Sequence, residues 1–126
     1  MVEQAIKYEL TVTEIGPLVG EFIAEGILVF FEEGAPEELA EFSVIHQHGP
    51  LQSPVEPGDT ILIGDEPFNV LAVGEVANEN LKNLRHLIVK MNGSTKPEMP
   101  GDVCVDKKPV PDIKTGTVVK ILSGSS

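Results

Sequence analysis

The sequence predicts an all-β domain, a sandwich or a barrel. Three observations carry that prediction. Short apolar or alternating runs recur along the chain, turn signals interrupt them roughly every eight to twelve residues, and the clearest helical signals last a turn or two. This pattern gives about seven or eight short strands and excludes alternating strand–helix units. Closure into a barrel would remove the edges that so many short apolar strands otherwise expose.

The elements follow in order. Lys7 to Ile15 places Tyr8, Leu10 and Val12 between Glu9, Thr11 and Thr13, a first strand stopped by Gly16-Pro17. Leu18 to Glu25 fits a turn or a short helix. Ile27 to Phe31 is a compact apolar run suited to a buried strand. Pro36-Glu37-Glu38 starts a short helix, with acids in the first turn complementing its dipole. This feeds the strand Ser43 to Gln47. A polar connection, Gly49 to Asp59, carries Pro50, Pro54 and Pro57. Thr60–Ile63 and Phe68–Val73 form a hairpin across the turn Gly64-Asp65-Glu66-Pro67. Asn78 caps a second short helix ending near Leu84. His86–Met91, Val103–Val105 and Thr117–Leu122 are the remaining strands. The Pro-Gly-Asp at 57–59 and its repeat at 100–102 read as turns leading into strands. Residues 1–122 are expected to form one domain, and 123–126 a flexible tail.

The 126 residues are enough for a real core. Hydrophobic residues make up 41%, which places the chain among globular proteins. No apolar run reaches the roughly 18 residues of a membrane span, so no direct membrane insertion is expected. The N-terminus lacks the basic-then-apolar pattern of a signal peptide. The single cysteine, Cys104, flanked by two valines, fits a small core residue in a reducing compartment. Net charge is −11, from 20 acids against 9 Lys and Arg, which makes nucleic acid a poor partner and suits a basic protein surface.

Chemistry concentrates at Phe42-Ser43-Val44-Ile45-His46-Gln47-His48-Gly49. Two of the chain's three histidines lie here two residues apart. In a strand running through His48 both imidazoles face one way, with Cα atoms about 6.6 Å apart. Three uses compete. A same-face pair can begin a zinc or iron site, making a metal-binding β-barrel the alternative reading. Against it, the cupin pattern needs an acid soon after the pair, where this chain has Leu51, Gln52 and Ser53, and its second motif is missing. A neutral imidazole can instead accept a phosphoryl group and pass it on. That use needs an accessible ring, with Gly49 leaving room for a partner and His48 or His86 supplying hydrogen bonds. The third use is inert packing, the favoured reading for His86, which has no motif of its own. No P-loop or Gly-x-Ser-x-Gly motif is present.

The run Phe31-Glu32-Glu33-Gly34-Ala35-Pro36-Glu37-Glu38-Leu39, followed by Glu41-Phe42 and Ile45-His46-Gln47-His48-Gly49, resembles the glucitol/sorbitol-specific enzyme IIA components of the bacterial sugar phosphotransferase system. Val70 to Val76, Asn80-Leu81, His86, Pro100-Gly101 and Pro109-Val110-Pro111-Asp112 follow in the family's order, so the resemblance spans essentially the whole chain. It implies a small closed β-barrel of Greek-key type, with about six to eight strands and one or two short helices. It implies a phosphocarrier in which His46 takes the phosphoryl group from the phosphorylated histidine carrier protein and gives it to the cysteine of a IIB component. The membrane IIC component would then move sorbitol. His48, Gly49 and His86 would support His46, no cofactor or metal would take part, and the protein would work in the cytoplasm at the inner face of its permease. Gln47 stands where relatives can carry Cys. No cation lies near His46 in sequence, so charge for the phosphate is expected partly from the partners.

Overall fold

The computed structural model describes residues 5–124, and for His48 the backbone alone. The alternation in the first run is realised in β1 (Ile6–Ile15), where Tyr8, Leu10 and Val12 point into the core and Glu9 and Thr11 face solvent. The other strands are β2 (Ile27–Glu32), β3 (Val44–His48), β4 (Thr60–Ile63), β5 (Glu66–Val73), β6 (Leu87–Lys90), β7 (Asp102–Val105) and β8 (Val118–Leu122). They close a barrel in the order β1-β3-β2-β6-β7-β5-β4-β8. Eight strands leave an interior that side chains can fill. Tyr8, Phe30, Ile61, Phe68, Leu87 and Ile121 are among those that fill it.

Two neighbour pairs are parallel, β2–β3 and β6–β7, and the rest are antiparallel. Parallel pairing needs a long connection. Residues 33–43 supply the first, with the four-residue helix α2 (Glu37–Ala40) inside it, and 91–101 supply the second. Helix α1 (Val19–Ala24) packs on β2, and α3 (Ala77–Leu84) precedes β6. The described residues thus contain three helices where one or two were expected. The additional one is α1, whose sequence also fitted a turn.

Two local expectations give way. The hairpin turn is the two residues Gly64-Asp65, because Ile63 pairs directly with Glu66 and β5 begins there. Gly64 takes φ +60, the positive first position that such a turn favours. Asn78 does not cap α3, which starts after Val76 without a side-chain cap. Its amide instead clamps the long loop, accepting from the Val55 N–H at 2.7 Å and donating to the Val55 carbonyl at 2.9 Å.

The Pro-Gly-Asp repeat is more than a pair of turns. The Asp59 N–H donates to the Glu56 carbonyl at 3.1 Å, and the Glu56 N–H donates back to Asp59 Oδ2 at 2.8 Å. Asp102 and Met99 repeat the arrangement at 3.1 and 3.0 Å. Each buried carboxylate also meets a lysine from another strand, Asp59 with Lys7 of β1 and Asp102 with Lys90 of β6. Ionised carboxylates with such partners tolerate burial. Beyond β8, Ser123 and Gly124 each make a backbone hydrogen bond. The Ser123 N–H donates to the Ala5 carbonyl and Gly124 N–H to Asp59 Oδ1. Residues 125–126 lie outside the described residues.

Candidate functional site

Strand β3 lies between β1 and β2, with Val12 opposite His46 on one side and Glu32 opposite it on the other. Alternation along β3 turns Val44 and His46 inward and Gln47 out to solvent. The His46 side chain is 0% exposed. The ring therefore differs from the accessible one expected at a strand mouth. The pleat assigns it to the same face as Val44, and strands cover both flanks.

Tyr8 and Phe30 pack against the imidazole. The Tyr8 hydroxyl lies 3.1 Å from His46 Nε2, a buried contact across 38 residues of sequence. The Tyr8 ring meets the imidazole edge-on, centroids 6.2 Å apart at 88°. Phe30 meets it at 6.1 Å and 76°. Burial pushes the Tyr8 phenol well above its ordinary value, so it keeps its proton. The Arg85 guanidinium pulls the other way and the Glu32 carboxylate adds to the rise.

Arg85 is thus a positive charge close enough to be felt at Tyr8, a cation that the spacing around His46 did not reveal. It ends α3 in the left-handed region at φ 53, and its Nη1 donates to the Lys82 carbonyl at 2.6 Å. Phe30 of β2 pairs with Leu87 of β6. Arg85 lies two residues before Leu87 in the chain, between α3 and β6.

His46 lines a surface recess with Glu32, Glu33 and Gln47, while Tyr8 lines a neighbouring one with Gly49, Pro50 and Gln52. Gln47 borders both, and its amide donates to Glu33 Oε1 at 3.3 Å. A Cβ at Gly49 would meet nothing within 4 Å, so the surroundings there are open. The expected partnership of His48 with His46 concerns a side chain outside the described residues. The backbone of His48 continues β3 opposite Leu10.

The described contacts of His86 join it to the wall behind the site. Its Nδ1 donates to the Phe30 carbonyl at 3.3 Å, and its ring lies 4.9 Å from that of Phe31. Burial lowers its pKa below the ordinary value and the Phe30 bond opposes the drop. His86 thus buttresses Phe30, which in turn packs on His46. Among the described residues no group of three His, Cys, Asp or Glu side chains is arranged to hold a metal ion. No helix there is long and apolar enough to cross a membrane.

Two groups were missed by sequence reasoning. Tyr8 was read only as an inward strand residue, and Arg85 only as a neighbour of His86. The strand pattern could show that Tyr8 points inward, but not that an imidazole stands opposite.

Comparison with known proteins defines the class first: a phosphocarrier domain, the IIA component of a sugar phosphotransferase system. The chain belongs to the PTS system glucitol/sorbitol-specific IIA component family, whose profile matches residues 7–120. It is 39% identical over 117 residues to the PTS system glucitol/sorbitol-specific EIIA component of Shigella flexneri, covering 92% of this chain and 94% of that one. The protein of the same description from Escherichia coli (strain K12) is similar to the same extent, 39% over 117 residues and the same shares. The crystal structure of a PTS system IIA component from Enterococcus faecalis V583 superimposes with a TM-score of 0.76 at 28% identity, covering 88% of this chain and 96% of that one.

Proposed function

We propose that His46 is the phosphoryl acceptor of this carrier. It receives the group from the phosphorylated histidine carrier protein and passes it to the cysteine of the IIB component that serves sorbitol (glucitol) uptake through the membrane IIC component. The observation that carries this reading is the placement of His46: one imidazole, met by the Tyr8 hydroxyl and by the rings of Tyr8 and Phe30, at a surface recess lined by Glu32, Glu33 and Gln47. A ring nitrogen attacks phosphorus as the donor's N–P bond breaks and its electron pair returns to the donor ring. In the second transfer the partner's thiolate attacks and the His46 N–P bond breaks. Such transfers depend on positioning and charge stabilisation. His48 and Gly49 assist at the strand end, and His86 acts through Phe30. The carrier works in the cytoplasm, beside its permease at the inner face of the membrane, and the scheme uses no metal or cofactor.

Incubation with the general phosphotransferase components and labelled phosphoenolpyruvate should give acid-labile, base-stable label, and His46→Ala should abolish it. Label retained by that variant at the wild-type rate would rule His46 out. Complete loss in His48→Ala with His46 intact would move the acceptor to His48.

A further inference from the structure

The Tyr8 hydroxyl faces one ring nitrogen of His46 and so has chemical consequences beyond packing. Imidazole offers two nitrogens. In the neutral ring one carries the proton and the other the lone pair, and the hydrogen bonds each makes decide which. The phenol sits at Nε2, 3.1 Å away, on a strand registered to β3 by backbone pairing. Its ring is 1% exposed, and the crossed ring planes of Tyr8 and Phe30 fix the imidazole's orientation. A phenol that stays protonated in this setting is a hydrogen-bond donor, and a nitrogen that accepts its hydrogen bond carries the lone pair.

We infer that Tyr8 is the positioning residue of the acceptor: its hydroxyl donates to Nε2 of His46, holds the ring proton on Nδ1, and so selects Nε2 as the nitrogen that attacks phosphorus. This rests on His46 being the acceptor. When the lone pair of Nε2 forms the new N–P bond, the donor's bond to phosphorus breaks and keeps its pair. The Tyr8 hydroxyl then turns from Nε2 to a phosphoryl oxygen without losing its proton. The proton on Nδ1 stays in place, so the phosphorylated ring is a cationic leaving group, suited to giving the group away again. His46 itself lines the recess it shares with Glu32, Glu33 and Gln47, and Tyr8 lines the neighbouring one across Gln47.

The test uses the full chain, its Tyr8→Phe variant and the His46→Ala variant. Long-range 1H–15N spectra of the wild-type protein should show His46 as the Nδ1–H tautomer, and 31P and 15N spectra of the phosphorylated protein should place phosphorus on Nε2. Tyr8→Phe keeps the ring and removes only the hydroxyl. It should shift His46 towards a mixture of tautomers and slow phosphorylation by about tenfold, the factor a single hydrogen bond is worth. A wild-type ring found as Nε2–H, or phosphorus on Nδ1, overturns the inference with no variant needed. So does a folded Tyr8→Phe protein with unchanged tautomer and rate. Label surviving in His46→Ala would instead sink the acceptor assignment, a separate result.

Discussion

Lys7 of the first strand donates to the carboxylate of Asp59 at 2.7 Å, and both side chains are nearly withdrawn from solvent, at 10% and 5% exposure. The same lysine donates to the Pro54 carbonyl at 2.8 Å, and Asp59 also accepts the N–H groups of Glu56 and Gly124. One ion pair thus ties together β1, the long loop that follows the His strand, and the residues beyond β8.

Removing one partner leaves the other charge stranded. Lys7→Met should therefore cost on the order of 3 kcal/mol, as breaking a buried pair does. Asp59→Ala should cost more, since it also orphans two backbone donors. In the double variant the loss should fall short of the sum, because the stranded charge is gone. Urea denaturation of the four proteins checks this, and a strictly additive double variant would contradict it.

Glycines separate by what surrounds them. A Cβ at Gly74 would overlap the carbonyl group of Pro100, a backbone group with nowhere to go. Gly74→Ala should cost on the order of 3 kcal/mol. At Gly20, inside α1, a Cβ meets nothing within 4 Å. Gly20→Ala should stabilise by about 0.5–1 kcal/mol, the helix preference of alanine over glycine. Thermal melts of the two variants should move in opposite directions from the wild type.

His86 should give the fold an acid sensitivity. Burial holds its folded pKa below the ordinary 6.5. Below about pH 6.5 the unfolded chain then binds more protons at this residue than the folded one, so stability rises with pH through that window and falls as acid is added. His86→Gln cannot take up that proton. The stability gap between wild type and His86→Gln, measured by denaturant at pH 7.5 and 5.5, should shift in the variant's favour at the lower pH. A gap that moves the other way would contradict the buried-neutral assignment.

The strands were legible because the pleat writes itself into sequence: Tyr8, Leu10 and Val12 alternate with acids and threonines, and Gly16-Pro17 ends the run. Helix α1 was ambiguous because Val19-Gly20-Glu21-Phe22-Ile23-Ala24 is six residues with a glycine and β-branched side chains, poor local support for a helix. Asn78 was misassigned because an Asn before a Leu pair looks like a cap, whereas here its amide bonds the Val55 backbone. At the site, His46 was legible from its spacing, but its burial was not. Tyr8 reaches it through the pairing of β1 with β3, which joins residues far apart in sequence.

The pairing of β8 with both β1 and β4 sets the timing of folding during synthesis. Of the eight described strands β1 is made first, and the partner on one of its flanks, β8, is made last. At translation rates of about 5–20 residues per second, that flank of β1 waits roughly 5–20 seconds for its partner. Until residue 122 emerges, the nascent chain carries two unsealed edges of the kind that recruit other strands. In the closed barrel the same two edges are paired, β1 and β4 each against β8.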